Sequence, residues 1–125
     1  MTPQPLPLKV TVDQFFCGKR SFPIGKRSYL VGILNLTPDS FSGDGLLQSQ
    51  DPVGEALKLA KQMIQEGTDI LDVGGQSSRP GAEYISETEE AARVLPVVET
   101  LAREVEVPIS VDTTHSAIAH EALRR

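Results

Sequence analysis

The sequence contains a single cysteine, Cys17, among its 125 residues. One cysteine excludes an internal disulfide bond and any metal cluster held by several thiolates. A lone thiol is compatible with a reducing compartment, so the sequence predicts a cytoplasmic protein. Cys17 itself is interpreted as a small packing residue. Any chemistry must therefore come from other side chains.

Long apolar runs are also absent. The longest apolar stretches have about five residues, whereas a membrane-spanning helix needs roughly 20, so we expect no membrane association. Residues 1–7 hold three prolines and lack the basic start and apolar segment of an export signal. The pattern predicts a disordered leader over residues 1–7 and one domain over residues 8–125.

No run of basic residues is present, and 12 Lys and Arg stand against 17 Asp and Glu, which gives a net charge of −5. We therefore expect no nucleic-acid partner. A small anionic substrate stays compatible with this charge, because local donors, a metal ion or a helix N-terminus can outweigh a mildly acidic average.

What the sequence does contain is an alternation of strand and helix patterns. Alternating residues over Leu8–Phe16, followed by Gly18 and Gly25, predict a β-hairpin. Three apolar segments then recur about every 40 residues, at 30–34, 70–73 and 107–111, each followed by a helical pattern. This order predicts an α/β fold with a parallel sheet. Periodicity leaves open whether the sheet is doubly wound or part of a (β/α)₈ barrel.

Local signals define the helix ends. Asp51 is a suitable N-cap with Pro52 at the first helical position, and Gly67 is a typical stop. The second and third helical patterns carry a capping box at Ser86 and Glu89, a proline at Pro96 that should kink the helix, and a start at Ser116.

Polar residues interrupt or end the predicted strands at Asn35, Asp72 and Asp112. In parallel α/β folds, functional groups collect beyond the carboxyl ends of the strands. A buried, unpaired carboxylate is costly, so the two aspartates each need a partner, a ligand or access to water. The sequence therefore predicts a site at this edge of the sheet.

The loops that follow the first two strands allow two interpretations each. Residues 35–45 could wrap an anion or hold magnesium through the amide oxygen of Asn35, or could form a stiff Asn-x-x-Pro turn. Residues 74–82 offer the guanidinium of Arg79 and the hydroxyl of Ser78 to phosphate oxygens, or form a solvated surface loop.

The end of the third strand and the two histidines are also interpreted by weighing a structural role against a functional one. Asp112 could cap the next helix, or could accept hydrogen bonds from the N–H groups of a ligand. His115 is interpreted as a helix-start residue and His120 as a surface residue, and their spacing does not indicate a zinc site.

Residues 32–45, 72–82 and 109–113 together resemble the three successive motifs of the dihydropteroate synthases, a pterin-binding family. The resemblance covers nearly everything after the leader. It implies the N-terminal portion of a (β/α)₈ TIM barrel, about three β/α units preceded by a β-hairpin. It also implies condensation of 6-hydroxymethyl-7,8-dihydropterin diphosphate with p-aminobenzoate to 7,8-dihydropteroate and diphosphate, with Mg²⁺ as cofactor and a homodimeric full-length enzyme.

The resemblance also implies roles for individual residues, although none is assigned as a catalytic acid or base. Asn35 would bind the magnesium ion and diphosphate, and Asp112 would bind the pterin. Ser78 and Arg79 would bind the diphosphate-bearing substrate and its anionic groups. Further loop contacts would come from Asp39, Phe41, Asp44 and Pro80, of which Phe41 and Pro80 would border the p-aminobenzoate and sulfonamide site.

Three departures from the family pattern concern these loops: the order Gly43-Asp44-Gly45, Gln76 in place of a frequent Glu, and Ser78 in place of Thr. The family's later strands contribute an Asn, an Asp, a Lys and an Arg-x-His pair, for which these 125 residues have no counterpart. We therefore expect the isolated chain to be inactive, and to be either poorly stable or self-associating.

Two alternative functions stay open. One is another pterin-binding barrel, a methyltransferase that uses methyltetrahydrofolate and a corrinoid partner, although the loop at residues 37–41 argues against it. The other is a non-catalytic half-barrel that binds a partner or a pterin.

Overall fold

The computed structural model describes residues 13–37, 50–76 and 84–125. The predicted order of a hairpin followed by alternating strands and helices is confirmed in these ranges. The predicted leader, residues 1–7, lies outside them. The elements are β1 (Gln14–Cys17), β2 (Arg20–Pro23), β3 (Val31–Asn35), α1 (Pro52–Gln65), β4 (Ile70–Gly74), α2 (Glu87–Glu104), β5 (Ile109–Asp112) and α3 (Ser116–Leu123).

β1 and β2 form the predicted antiparallel hairpin, with Cys17 paired to Arg20. The connection has two residues, and Gly18 at its first position has φ +60°. Hairpins with two-residue turns favour glycine at such a position because a side chain there is strained. Phe22 is buried and packs edge-on against Tyr29, with ring centroids 5.0 Å apart.

An ion pair connects the segment after the hairpin to the main sheet. Asp69, which precedes β4, accepts hydrogen bonds from both terminal nitrogens of Arg27, at 3.1 and 2.7 Å. It also accepts one from the backbone N–H of Leu30 at 2.9 Å. The Arg27 bond first, and then the Leu30 bond, lowers the pKa of Asp69 from its ordinary value. The carboxylate is therefore held in its charged form.

The main sheet has the order β3-β4-β5 and is parallel throughout. Helix α1 packs on β3 and α2, and α2 packs on β4, β5 and α3. On the face that the helices cover, Leu34, Leu71 and Val73 are fully buried. On the opposite face, Val31 and Ile33 are 52% and 56% exposed. A doubly wound sheet carries helices on both faces, whereas a barrel carries them only outside. Within the described ranges helices lie on one face only, which is the arrangement of part of a barrel.

The predicted signals define the ends of α1. Asp51 is its N-cap and accepts a hydrogen bond from the backbone N–H of Gly54 at 3.1 Å. Pro52 is the first helical residue, and Gly67 follows the helix with φ +112°. Gly32 lets α1 approach the sheet, because a Cβ at that position would lie 2.8 Å from Met63 Sδ.

Helix α2 confirms half of the predicted capping box. The Ser86 hydroxyl accepts from the backbone N–H of Glu89 at 3.1 Å, but the Glu89 carboxylate pairs with Arg93 at 2.7 Å. Pro96 lies inside α2, which continues to Glu104. The proline therefore does not end the helix, and the kink stays a prediction. None of the helices in the described ranges is long and apolar enough to cross a membrane.

Candidate functional site

Asn35, Gly74 and Asp112 lie side by side at the carboxyl edge of the sheet. In the strand register, Asn35 pairs with Gly74 and Gly74 pairs with Asp112. Neighbouring strands lie about 4.8 Å apart, so the Cα atoms of Asn35 and Asp112 are separated by about 10 Å. Side chains in one register row share a face of the sheet. Asn35 and Asp112 therefore lie in one row at the predicted edge, and their binding roles stay predictions.

Gly74 contributes no side chain between Asn35 and Asp112. A Cβ at Gly74 would lie 3.7 Å from Asp112 Cβ and 3.9 Å from Asp112 Oδ2. Asp112 is exposed, and within the described ranges no side chain pairs with its carboxylate. The carboxylate is thus available as a hydrogen-bond acceptor for a ligand.

Asp112 does not cap the following helix. α3 begins at Ser116 with His115 as its N-cap residue, and this cap has no side-chain hydrogen bond. The interpretation of Asp112 as a helix cap is wrong because it belongs to β5 and three residues separate it from α3. The predicted position of His115 at the helix start is confirmed. His120 is exposed, as predicted.

Asp72 has a side-chain hydrogen-bond partner. It lies on β4 two residues before Gly74. The Ser110 hydroxyl donates a hydrogen bond of 2.6 Å to Asp72 Oδ1. These residues face each other across β4 and β5, on the face that also carries Ile33. The need of Asp72 for a partner was predictable, but Ser110 was not identified because its position depends on the strand register.

A buried carboxylate of α2 supports the turn after β5. Glu90 is 1% exposed, and its Oε2 accepts a hydrogen bond of 3.1 Å from the Thr113 hydroxyl. The same oxygen contacts His115 Nδ1. The Thr113 hydroxyl oxygen accepts in turn from the backbone N–H of His115 at 3.0 Å. Glu90 was not predicted as a functional residue from the sequence. Its position one helical turn before the apolar Val94 places it on the buried face of α2, and this spacing could have indicated it.

The same helix supports the tip of β4. Arg93 donates a hydrogen bond of 2.9 Å to the carbonyl oxygen of Gly75. A Cβ at Gly75 would lie 2.7 Å from Val94 Cγ2 and 3.3 Å from Glu90 Cγ. Only glycine therefore allows α2 to lie this close to the strand end.

Six predicted site residues lie outside the described residues, so their roles stay predictions. They are Asp39, Phe41, Asp44, Ser78, Arg79 and Pro80. The last described residues before these segments are Thr37 and Gln76, which follow the carboxyl ends of β3 and β4. Thr37 and Gln76 therefore lie at the edge of the sheet that carries Asn35 and Asp112.

Comparison with known proteins agrees with this arrangement. A family model described as "Pterin binding enzyme" matches residues 31–125. A dihydropteroate synthase of Synechocystis sp. is 45% identical over 122 residues, which cover 98% of this chain and 38% of that protein. This chain therefore spans well under half the length of that relative.

Solved structures of dihydropteroate synthases also match. The Yersinia pestis enzyme, in complex with a sulfonamide drug, matches with a TM-score of 0.80 at 40% identity, covering 89% of this chain and 39% of that one. The Clostridium difficile enzyme, solved in the presence of pteroic acid, matches with a TM-score of 0.70 at 47% identity, covering 80% and 37%. These enzymes are TIM barrels, and the described β/α units form part of such a barrel. Because the family model matches most of its length, the chain belongs to the pterin binding enzymes.

Proposed function

We propose that this chain is part of a dihydropteroate synthase. The reaction joins p-aminobenzoate to 6-hydroxymethyl-7,8-dihydropterin diphosphate and gives 7,8-dihydropteroate and diphosphate. The observation that carries the proposal is the row of Asn35, Gly74 and Asp112 at the carboxyl edge, in a chain similar to enzymes of that name. Pteroic acid, present with the Clostridium difficile enzyme, unites a pterin and p-aminobenzoate in one molecule.

Asp112 is proposed to bind the pterin. Its exposed carboxylate accepts hydrogen bonds from the N–H groups along the guanidine-like edge of the ring. Gly74 beside it adds no side chain, which leaves room for a flat ring system. Ser78 and Arg79 are proposed to reach the diphosphate from the loop after β4, with further contacts from Asp39, Phe41, Asp44 and Pro80.

The donor set at the strand ends fits a magnesium ion that shares its ligands with the substrate. Within the described ranges, no group of three His, Cys, Asp or Glu side chains could hold a metal ion. Magnesium usually needs only one or two protein oxygens, because waters and substrate phosphates complete its shell. Asn35 supplies such an oxygen, and a bound magnesium ion would neutralise charge on the diphosphate.

The chemical step is attack of the p-aminobenzoate amine on the pterin methylene carbon. The bond from that carbon to the diphosphate oxygen breaks, its electron pair leaves with the diphosphate, and the amine nitrogen loses one proton to solvent. The residues of this chain hold the two reactants in line and stabilise the negative charge that develops on the leaving oxygen. Loss of one preorganised donor to such an oxygen raises the barrier by about 3 kcal/mol, or about two decades in rate.

The test uses the product of the whole reading frame that contains these residues, proposed to be a cytoplasmic homodimer. We expect it to form dihydropteroate and release diphosphate when given both substrates. Arg79→Ala should reduce the rate by about two decades, and Asp112→Asn should weaken binding of the pterin diphosphate, each without lowering the melting temperature. Asp13→Asn and Arg103→Ala, at exposed positions, are the matched controls. Wild-type rates in both site variants would contradict the site assignment, and an inactive wild-type protein would contradict the function.

A non-catalytic half-barrel is the second candidate, favoured by the exposed Val31 and Ile33 on the face of the sheet that none of the described helices covers. DNA sequence beyond codon 125 separates the two candidates. A continuing frame that encodes the Lys and the Arg-x-His pair supports the synthase, whereas a stop codon supports the half-barrel. Methyl transfer in place of diphosphate release would identify the methyltransferase.

A further inference from the structure

Glu90 is a buried carboxylate to which the proposed reaction assigns no role. It projects from the first turn of α2 and is 1% exposed. Burial of a carboxylate is costly unless hydrogen bonds compensate for the lost water. Both of its side-chain partners, Thr113 and His115, belong to the turn that directly follows Asp112.

The contacts of Glu90 fix this turn at more than one point. Thr113 donates its hydroxyl proton to Glu90 Oε2 and accepts a hydrogen bond from the backbone N–H of His115. His115 is also held by an edge-on contact with the ring of Tyr84, at 6.0 Å between centroids. Thr113 directly follows Asp112 in the chain. Restraint of Thr113 therefore also restrains the backbone of Asp112, from which its side chain projects.

The neighbouring strand tip is held by the same stretch of helix. Arg93 lies three residues after Glu90, on the same side of the helix, and donates to the Gly75 carbonyl oxygen. Gly75 in turn lies against Glu90 and Val94. One helical turn therefore contacts the residues that directly follow both Gly74 and Asp112.

We propose that Glu90 is a positioning residue that orients Asp112 for the pterin through Thr113 and His115. This inference rests on the proposed function, since it assumes that Asp112 binds the pterin. Glu90 does not touch the substrate itself. Its removal should weaken recognition of the pterin and leave recognition of p-aminobenzoate nearly unchanged.

The experiment compares three variants in the product of the whole reading frame. Glu90→Leu removes the acceptor at similar size, and Glu90→Gln keeps an oxygen that can accept from Thr113. Glu99→Leu is the matched control, because Glu99 is an exposed glutamate of the same helix. The measurements are the KM for 6-hydroxymethyl-7,8-dihydropterin diphosphate, the KM for p-aminobenzoate, the melting temperature, and the amide hydrogen exchange of residues 112–115.

We expect Glu90→Leu to raise the KM for the pterin diphosphate about tenfold, the size of one lost hydrogen bond to a charged group. The KM for p-aminobenzoate should change less than about twofold, and exchange of residues 112–115 should accelerate about tenfold. Glu90→Gln should recover most of both losses, and Glu99→Leu should resemble the wild type.

Two results would overturn the inference: unchanged kinetics and exchange in Glu90→Leu, or an equal loss in every parameter together with a lower melting temperature. The second pattern would assign Glu90 to general stability. A wild-type protein without synthase activity would overturn the proposed function instead. In that case the exchange comparison still decides whether Glu90 holds the turn.

Discussion

Asp69 joins two parts of the chain that are distant in sequence. It lies immediately before β4 and receives two hydrogen bonds from Arg27 and one from the backbone of Leu30. It thereby ties the segment after the hairpin to the amino edge of the sheet, opposite the candidate site. These bonds favour the ionised carboxylate, which is why its pKa is lowered from the ordinary value.

The pH dependence of stability follows from that shift. A carboxylate whose pKa is lower in the folded state stabilises the fold above its unfolded pKa of about 4, and the contribution is lost as pH falls through the folded pKa. Asp69→Asn should therefore lower the urea midpoint at neutral pH, and its difference from the wild type should shrink below about pH 4. Urea denaturation at several pH values measures this. Glu106→Gln, at an exposed position, is the control, and a difference independent of pH would refute the assignment.

Ser110 offers a second test at the same scale. Its hydroxyl donates the 2.6 Å hydrogen bond to Asp72, whose side chain is half-buried. Ser110→Ala leaves that carboxylate without its donor and should destabilise the protein by about 1 kcal/mol. Urea denaturation provides the measurement, with the exposed Ser21→Ala as control. Equal midpoints for the two variants would show that water replaces the serine without cost.

At the scale of elements, local signals predicted helices better than they predicted contacts. The first helix was predictable because Asp51, Pro52 and Gly67 act on backbone groups within a few residues of themselves. The contact between Glu90 and His115 was not, because it depends on how α2 packs against the turn after β5. The ends of the three parallel strands were predicted to within about two residues, which is the usual uncertainty of element boundaries.

Alanine substitutions at two adjacent glycines, Gly74 and Gly75, test how closely α2 packs on the end of β4. Gly75→Ala places a methyl group 2.7 Å from Val94 Cγ2, so the helix must shift, and we expect a loss of about 1–3 kcal/mol. Gly74→Ala meets its nearest atom at 3.7 Å, an ordinary contact, and should leave stability nearly unchanged. Thermal denaturation of both variants decides the matter, and equal melting temperatures would contradict the close packing.

At the scale of the whole molecule, the choice between a doubly wound sheet and a barrel could not be made from periodicity. Both architectures repeat a strand and a helix, and they differ in which face of the sheet each helix covers. The strand order β3-β4-β5, with α1 packed on α2 and α2 packed on α3, distinguishes the two architectures. It places the described helices on the same face of the sheet, as in a barrel. The carboxyl edge was predictable as the location of the site, because functional groups collect beyond the carboxyl ends of the strands in both architectures.

The face of the sheet that no described helix covers should make the isolated 125-residue chain self-associate. Val31 and Ile33 expose about half of their surfaces there, and β3 and β5 are the outer strands of the described sheet. Burial of such side chains contributes about 1.5–3 kcal/mol each, so replacement of both by threonine should weaken association at least about tenfold. Sedimentation velocity over a range of concentrations measures it. Ile24→Thr, at a 50% exposed isoleucine after the hairpin, is the control. Unchanged association in the double variant would mean that another surface, such as the strand edges, mediates it.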